Sequence, residues 1–422
     1  MDFDGVAALK SGPAAIFVGM VPRLISGWIR RAETIVVMDA DVKMEIEGKA
    51  PRILIVRLSA IGDCVLTVPL VHALRERIPG AHVSWIVDER SAPLLDGLPG
   101  LDELLVIPRR WHRSISSMLR IRRALLQRKF DITLDPQSLT KSGLISLLSG
   151  APKRFCFARP VGRELGPWFG NVRIRPTQQH VVNQALQFME FLGLQLPSSV
   201  KFELPQYPGT DAVLKFASVA TGSADNFTII NVGAGWPSKY WSADRFAQVA
   251  RYLGEHKSMA SIVVWHGAER DMAVEVVAQS GGHAHLAPAT NLQELATLSR
   301  AAHLFIGADT GPLHLASAVG TRCVGLYGPT DPAHCGPYGA KHRTVQPDSS
   351  VRLVRMRQTK ANIWMQRISV DQVIAACQEL LQDADAVTPC SVPLHGLKPS
   401  HARCAATASH IGHPPFAKGI NP

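Results

Sequence analysis

From residue 51 onward, apolar positions fall into two successive series in which short apolar runs alternate with amphipathic stretches. Residues 53–56 form an apolar run of strand length. Such a run reads as a strand covered on both faces, as in a parallel sheet. Residues 64–77 then read as a helix, and 82–87, 103–107 and 132–134 as further strands, with a basic helical stretch at 116–128 before the last. After Leu204-Pro-Gln-Tyr-Pro-Gly209, a linker by composition, the pattern restarts. Its strands fall at 228–232, 261–265, 304–306 and 323–327, with helices at 242–253 and 272–279 between them and a closing helix at 370–381. Two β-α-β series of similar size predict an α/β protein with two Rossmann-like parallel-sheet domains facing a central cleft. The domains read as 51–207 and 208–384. An extension over 1–50 lacks clear periodicity, and a tail over 385–422, rich in Pro, His, Ser and Ala, reads as disordered.

Composition narrows the class of partner. The 422 residues contain no run of the roughly 18 uninterrupted apolar residues that a membrane span needs. The run Pro13-Ala-Ala-Ile-Phe-Val-Gly-Met-Val-Pro22 is short and precedes Arg23, Arg30 and Arg31, the reverse of the order in a secretory signal. It reads as a short amphipathic surface segment or as plain extension. A net charge of +11 calls for an anionic partner: nucleic acid, an anionic membrane or a phosphorylated substrate. No zinc-finger spacing and no aromatic RNA-binding pattern supports nucleic acid. Seven cysteines at scattered spacings argue against a disulfide framework and for a reducing cytoplasm. Cys390, His395, His401, Cys404, His410 and His413 in the tail match no zinc spacing. Asp39-Ala-Asp41 and Asp383-Ala-Asp385 lie outside the periodic core, so no metal site is expected.

The chemistry concentrates in turns that follow strands. Arg57-Leu-Ser-Ala-Ile-Gly-Asp63 holds one glycine and then a carboxylate, where a dinucleotide site wants G-x-G-x-x-G and no acid facing a phosphate. Asp63 either caps a helix or takes a proton from an acceptor hydroxyl. In the second series, Asn231-Val-Gly-Ala-Gly-Trp-Pro-Ser-Lys239 lacks the third glycine of the dinucleotide fingerprint. Gly235 and Lys239 suit a phosphate better, through amides and a point charge, or else form a tight turn with a surface lysine. In Leu304-Phe-Ile-Gly-Ala-Asp-Thr-Gly-Pro-Leu-His-Leu-Ala316, a strand ends at Asp309-Thr310-Gly311 and Pro312 suits a first helical turn. Amides near Thr310 and Gly311 would point at a phosphate, aided by the helix dipole. Asp309 can accept bonds from sugar hydroxyls. His314 donates to a diphosphate oxygen or packs locally, and Glu269 binds a ribose or caps a helix.

These blocks resemble the lipopolysaccharide heptosyltransferases of glycosyltransferase family 9. The resemblance rests on Arg57-Leu-Ser-Ala-Ile-Gly-Asp-Cys-Val-Leu-Thr-Val-Pro69, Trp236-Pro-Ser-Lys-Tyr-Trp241, Asp309-Thr-Gly-Pro-Leu-His-Leu-Ala316 and Tyr327-Gly-Pro-Thr-Asp-Pro332. Asp135-Pro-Gln-Ser-Leu-Thr-Lys-Ser-Gly143 adds to it, with Ser138 where the family usually has glycine. Ile107-Pro-Arg-Arg-Trp-His-Arg113 is most similar to the first heptosyltransferase, which acts on the Kdo region. The resemblance implies a GT-B fold, no metal or cofactor, ADP-heptose as donor and an anionic glycolipid acceptor of the Kdo–lipid A type, with inversion at the anomeric carbon. By position, Asp63 would be the base, with Asp135 the next candidate. Lys239, Thr310, Gly311 and His314 would hold the diphosphate, Lys239 also stabilising the leaving group. Asp309 would bind sugar hydroxyls and Glu269 the ribose. Arg57, Arg109, Arg110, Arg113, Gln137 and Lys141 would face the acceptor. The implied enzyme is a monomer, peripheral on the cytoplasmic face of the inner membrane, with no nucleic-acid partner. A relative that moves another sugar or uses another acceptor, and a GT-B-shaped sugar-nucleotide epimerase, are the competing readings.

Overall fold

The structure, a computed structural model, describes residues 36–38, 50–347, 362–382 and 392–393. The two Asp-Ala-Asp stretches and the Cys and His residues of the tail lie outside the described residues. Two parallel sheets dominate. The first runs in spatial order Val36–Met38, Val172–Ile174, Lys153–Phe157, Ile132–Asp135, Arg52–Val56, His82–Asp88, Glu103–Ile107. The second runs Ala284–Leu286, Ala260–Val264, Phe227–Asn231, Leu304–Ala308, Arg322–Leu326, His342–Val345. Leaving aside Val36–Met38, each sheet has the strand order 3-2-1-4-5-6 of a doubly wound nucleotide-binding fold. Helices cover both faces, so central strands such as Phe227–Asn231 and Leu304–Ala308 are buried throughout. That burial is why these strands read as unbroken apolar runs.

Two expectations change. The stretch 64–77 is not one helix: it splits at Leu66-Thr67 into Ile61–Val65 and Val68–Arg77. Pro69 explains the break, because it has no N–H to give the Val65 carbonyl and its ring would collide with that turn. Within the 1–50 extension, Val36–Met38 pairs in parallel with Val172–Ile174 at the edge of the first sheet. No helix among the described residues is long and apolar enough to cross a membrane.

The two halves pack directly on each other. One apolar cluster runs through both, from Val71 and Leu186 on one side to Leu295 and Leu313 on the other. Polar contacts seal its rim: Tyr207 Oη donates to Leu94 O at 2.9 Å, and Gln293 Nε2 to Pro93 O at 2.8 Å. His180 accepts from Val182 N through Nδ1, so its Nε2–H is left to donate to Gly336 O at 3.0 Å. Burial lowers this imidazole to about 4, which keeps it neutral in that bridge.

The closest approach joins the first turns of Ile61–Val65 and Gly311–Ala318. A Cβ on Gly62 would lie 2.6 Å from His314 Cδ2 and 3.2 Å from Gly311 Cα. Gly62→Ala should therefore push the halves apart and cost about 1–3 kcal/mol, the usual penalty of overpacking. Gly235→Ala is the control, since its Cβ would meet nothing within 4 Å. Thermal unfolding checks both: the first variant should melt lower and the second as wild type. An unchanged midpoint for Gly62→Ala would mean that the halves separate without cost.

Candidate active site

Both topological switch points, where neighbouring strands diverge in their connections, open toward one another. In open α/β sheets ligands bind there, beyond the carboxyl ends of the strands. In the first sheet the switch lies between Arg52–Val56 and Ile132–Asp135, and in the second between Phe227–Asn231 and Leu304–Ala308. A cleft of about 860 Å³ lies between them. That is within the roughly 300–1,000 Å³ typical of small-ligand sites. Ala60, Ile61 and Gly62 line it from the first half, and Gly233, Gly235, Glu269, Thr310 and Gly311 from the second. Val264, Trp265, Leu292 and Leu295 add an apolar wall.

Four of the predicted donor residues thus meet at the cleft: Gly235, Glu269, Thr310 and Gly311. Gly233 leaves room for the Glu269 carboxylate, which a Cβ would meet at 2.3 Å. Glu269 Oε2 accepts from His266 N at 3.0 Å, a reach back to the N-cap of its own turn. Burial raises its carboxyl above the ordinary glutamate range. The capping reading of Glu269 is therefore realised, with the residue still lining the cleft. The N-terminus of Gly311–Ala318 opens on the same space, and its leading amides have no intrahelical partners. Asn231 Nδ2 holds the approach, donating to Gly233 O at 3.2 Å and to Thr310 Oγ1 at 3.4 Å.

Lys239, Asp309 and His314 form a separate buried cluster. Lys239 Nζ donates to Asp309 Oδ2 at 2.6 Å and to Asp309 O at 2.8 Å, and His314 Nε2 lies 3.2 Å from Asp309 Oδ1. Burial alone would raise the Asp309 carboxyl. The His314 hydrogen bond and the Lys239 charge outweigh it and hold the group far below the usual carboxylate range. The structure thus places His314 Nε2 against Asp309. Asp309 is likewise engaged on both oxygens, where free acceptors for sugar hydroxyls were expected.

On the side expected to meet an acceptor, Arg57 and Asp135 are both tied into the fold. Arg57 does not face outward: Nη2 pairs with Asp63 Oδ2 at 2.8 Å, and Nη1 donates to Pro136 O at 2.7 Å. It holds Asp63 in place. Asp135, the fallback base, is fully buried, and burial pushes its carboxyl up to about 7 despite bonds from Ser138 N and Gln137 N. It shapes a turn and does not meet solvent. Gln137 is tied into the same turn, accepting from Leu58 N at 2.8 Å. Asp63 is 43% exposed in its side chain and directly follows three residues of the cleft wall. It also accepts from Ala60 N at 3.3 Å, so capping and solvent exposure coexist. Arg109, Arg110, Arg113 and Lys141 are exposed, and Lys141 and Arg113 both act on His112, whose imidazole is lowered first by burial and then by their charges. Sequence reasoning missed Trp265 and the Thr290–Gln293 wall. The Asn291-x-x-Glu294 capping box, whose Asn291 Oδ1 accepts from Gln293 N and Glu294 N, was a readable signal for the latter.

The buried cluster carries a stability prediction. Lys239→Ala strands the Asp309 charge without its ammonium partner, leaving the His314 Nε2 contact. Breaking a buried pair from one side typically costs ~3–5 kcal/mol, and denaturant unfolding near neutral pH should show a loss of that order. The sign with pH follows from the depressed carboxyl. Its stabilisation is fully present above the unfolded value of 3.8 and is lost only as pH falls through the lower folded value. Between pH 5 and 8 the Asp309 carboxyl should therefore add no slope. Wild-type stability in Lys239→Ala would overturn the assignment.

The glycosyltransferase family 9 (heptosyltransferase) profile matches residues 118–362. The lipopolysaccharide core heptosyltransferase OpsX of Haemophilus influenzae is 28% identical over 303 residues, which span 70% of this chain and 84% of that protein. Lipopolysaccharide heptosyltransferase 1 of Salmonella typhimurium is 25% identical over 299 residues, 68% of this chain and 92% of its own. Among solved structures, a family 9 glycosyltransferase from Veillonella parvula superposes with a TM-score of 0.67 at 25% identity, covering 79% of this chain and 97% of that one. The E. coli heptosyltransferase WaaC with ADP gives 0.61 at 20% identity over 79% and 99%. The sheets thus form a GT-B fold, and with the profile matched over more than half of its length, this chain belongs to glycosyltransferase family 9, the heptosyltransferases.

Proposed function

We propose that this chain transfers heptose from ADP-heptose to a lipopolysaccharide inner-core acceptor of the Kdo–lipid A type, with inversion at the anomeric carbon and Asp63 as general base. The observation that supports this reading is the contact of Gly62 with Gly311: it brings the helix turn that carries Asp63 against the helix N-terminus at Thr310 and Gly311, which lines the cleft. The names of the curated relatives support the lipopolysaccharide core as the place of action. Residues 51–207 take the acceptor role and 208–384 the donor role.

In the reaction an acceptor hydroxyl oxygen attacks the anomeric carbon, and its proton passes to Asp63. The bond between the anomeric carbon and the diphosphate oxygen breaks, and its electron pair leaves on ADP. One displacement needs one base and no protein nucleophile, which gives inversion. Charge growing on the diphosphate is met by the amides at Thr310 and Gly311 and by Lys239 nearby. Trp265, Leu292 and Leu295 offer the apolar wall that a base requires, and Glu269 the carboxylate for a ribose. Arg109, Arg110, Arg113 and Lys141 meet the carboxylates and phosphates of the acceptor. In this reading the enzyme acts as a monomer, peripheral on the cytoplasmic face of the inner membrane.

A purified-enzyme assay with ADP-heptose, other nucleotide sugars and a Kdo–lipid A acceptor tests the reading. Product with ADP-heptose alone among the donors supports it, and no product with any donor sinks it. Asp63→Asn should keep the fold, since asparagine caps as well as aspartate. It cannot take the proton, so turnover should fall by ~10²–10⁴-fold while ADP still binds. Near wild-type transfer in that variant would reduce Asp63 to a cap. Because Lys239 and the helix N-terminus supply the positive charge, transfer should persist in EDTA. Loss in EDTA with rescue by magnesium or manganese would contradict this and return attention to the Asp-Ala-Asp stretches.

A further inference from the structure

The helix Ile115–Gln127 has a face that the transfer reaction does not use. Its inner side is Met118, Ile121 and Leu125, which join the apolar cluster of Ile107 and Trp111. At about 100° per residue, Ile115, Leu119 and Leu126 fall together on a second stripe, with Arg122 and Arg123 on its two borders. These three apolar side chains are 44%, 52% and 42% exposed. A lone exposed leucine is ordinary. Three on one stripe, on a helix whose outer face should be polar, form a patch. Leu119, Leu126, Arg122 and Arg123 border a shallow depression of about 360 Å³. From 104 to 130 the chain carries eight Arg and Lys residues and no Asp or Glu. Glu103 engages Arg128 alone among them. In the same helix layer, next to Thr140–Leu148, the short helix Gly166–Phe169 exposes Trp168.

We propose that this face docks the chain onto an anionic lipid bilayer. Leu119 and Leu126 enter the boundary between headgroups and acyl chains, and the arginines on either side meet lipid phosphates. An apolar stripe rimmed by arginine is the pattern of a helix that lies in a membrane interface. The absence of any carboxylate over 27 residues matches a continuous anionic surface better than a protein face, which would mix both signs. The proposal rests on the membrane placement in the proposed function and names the surface that makes it, whatever the acceptor sugar is.

Cosedimentation of the full chain with phosphatidylethanolamine–phosphatidylglycerol vesicles tests it, with phosphatidylcholine vesicles as comparison. The chain should partition to the anionic vesicles at low salt and be released at high salt. Arg123→Ser should weaken binding roughly fivefold. Leu119→Ser/Leu126→Ser should weaken it by at least about tenfold. Thermal midpoints and turnover on acceptor dispersed in detergent should stay as wild type, which separates this test from that of the transfer reaction. Leu119→Ser alone keeps the test readable if Leu126, which lies over Gly150, proves needed for folding. Three results would each overturn the proposal: a wild-type chain that ignores anionic vesicles, variants that bind them as tightly as wild type, or a leucine pair whose loss only abolishes a dimer.

Discussion

Everything at this site depends on how closely two helix beginnings approach. Each Rossmann-like unit puts its chemistry at the carboxyl ends of its strands, but neither unit alone encloses a cleft. Gly62 and Gly311 allow the first turn of Ile61–Val65 to lie against the first turn of Gly311–Ala318 at backbone distance. Asp63 follows one glycine and Thr310 precedes the other, so the contact sets a carboxylate and a set of free amides at one mouth. The approach also has an electrostatic consequence. Both helix beginnings present partial positive charge, which is unfavourable at close range. Asp63, held by Arg57 and by Ala60 N, offsets part of it. An anion at Thr310 and Gly311 would offset the rest.

The central strands were legible because both faces of the sheet are covered, which turns each into an apolar run. What escaped were elements with weaker patterns. Lys153–Phe157 opens on two charged residues, and Val172–Ile174 and Ala284–Leu286 have three residues each. Thr140–Leu148 contains Gly143, a poor helix former. A Cβ there would meet Gly166 O at 2.8 Å, so packing against the next turn overrides propensity. The site followed a similar rule. Residue types and their distance from strand ends marked Gly235, Glu269, Thr310 and Gly311 correctly as cleft residues. The partners of polar side chains were not legible: Arg57 and His314 looked like ligand contacts, yet each is spent on a neighbouring carboxylate. Spacing shows that a group is near a site. It does not show which way the group points.

Ser138 shows how a departure from the family's pattern can be absorbed. Its φ of +48° lies in the left-handed region, where glycine is at ease and a side chain costs energy. The serine compensates with its hydroxyl, which donates to Asp135 O at 2.7 Å and accepts from Phe157 N at 2.7 Å. A glycine could make neither bond. The same turn supplies Pro136 O to Arg57 and Gln137 to Leu58 N. The substitution therefore sits beneath the residue that holds Asp63, and its two bonds tether the turn to the neighbouring strand, so the departure leaves the placement of the carboxylate intact.

The two sides of the cleft use charge differently, and the difference follows from burial. On the donor side the charged groups are few, buried and mutually fixed: Lys239, Asp309 and His314 constrain one another before any ligand arrives. Such groups need little reorganisation, so a ligand that fits is bound by geometry, and salt screens the interaction weakly. On the proposed acceptor side Arg109, Arg110, Arg113 and Lys141 are long, exposed cations outside any such buried cluster. They can follow the phosphates and carboxylates of a variable substrate, at the expense of rotamer entropy and of sensitivity to ionic strength. Selectivity should therefore be sharp for the nucleotide and permissive for the anionic surface beyond it. A transferase that meets a small soluble donor and a large, heterogeneous lipid-bound acceptor needs that asymmetry.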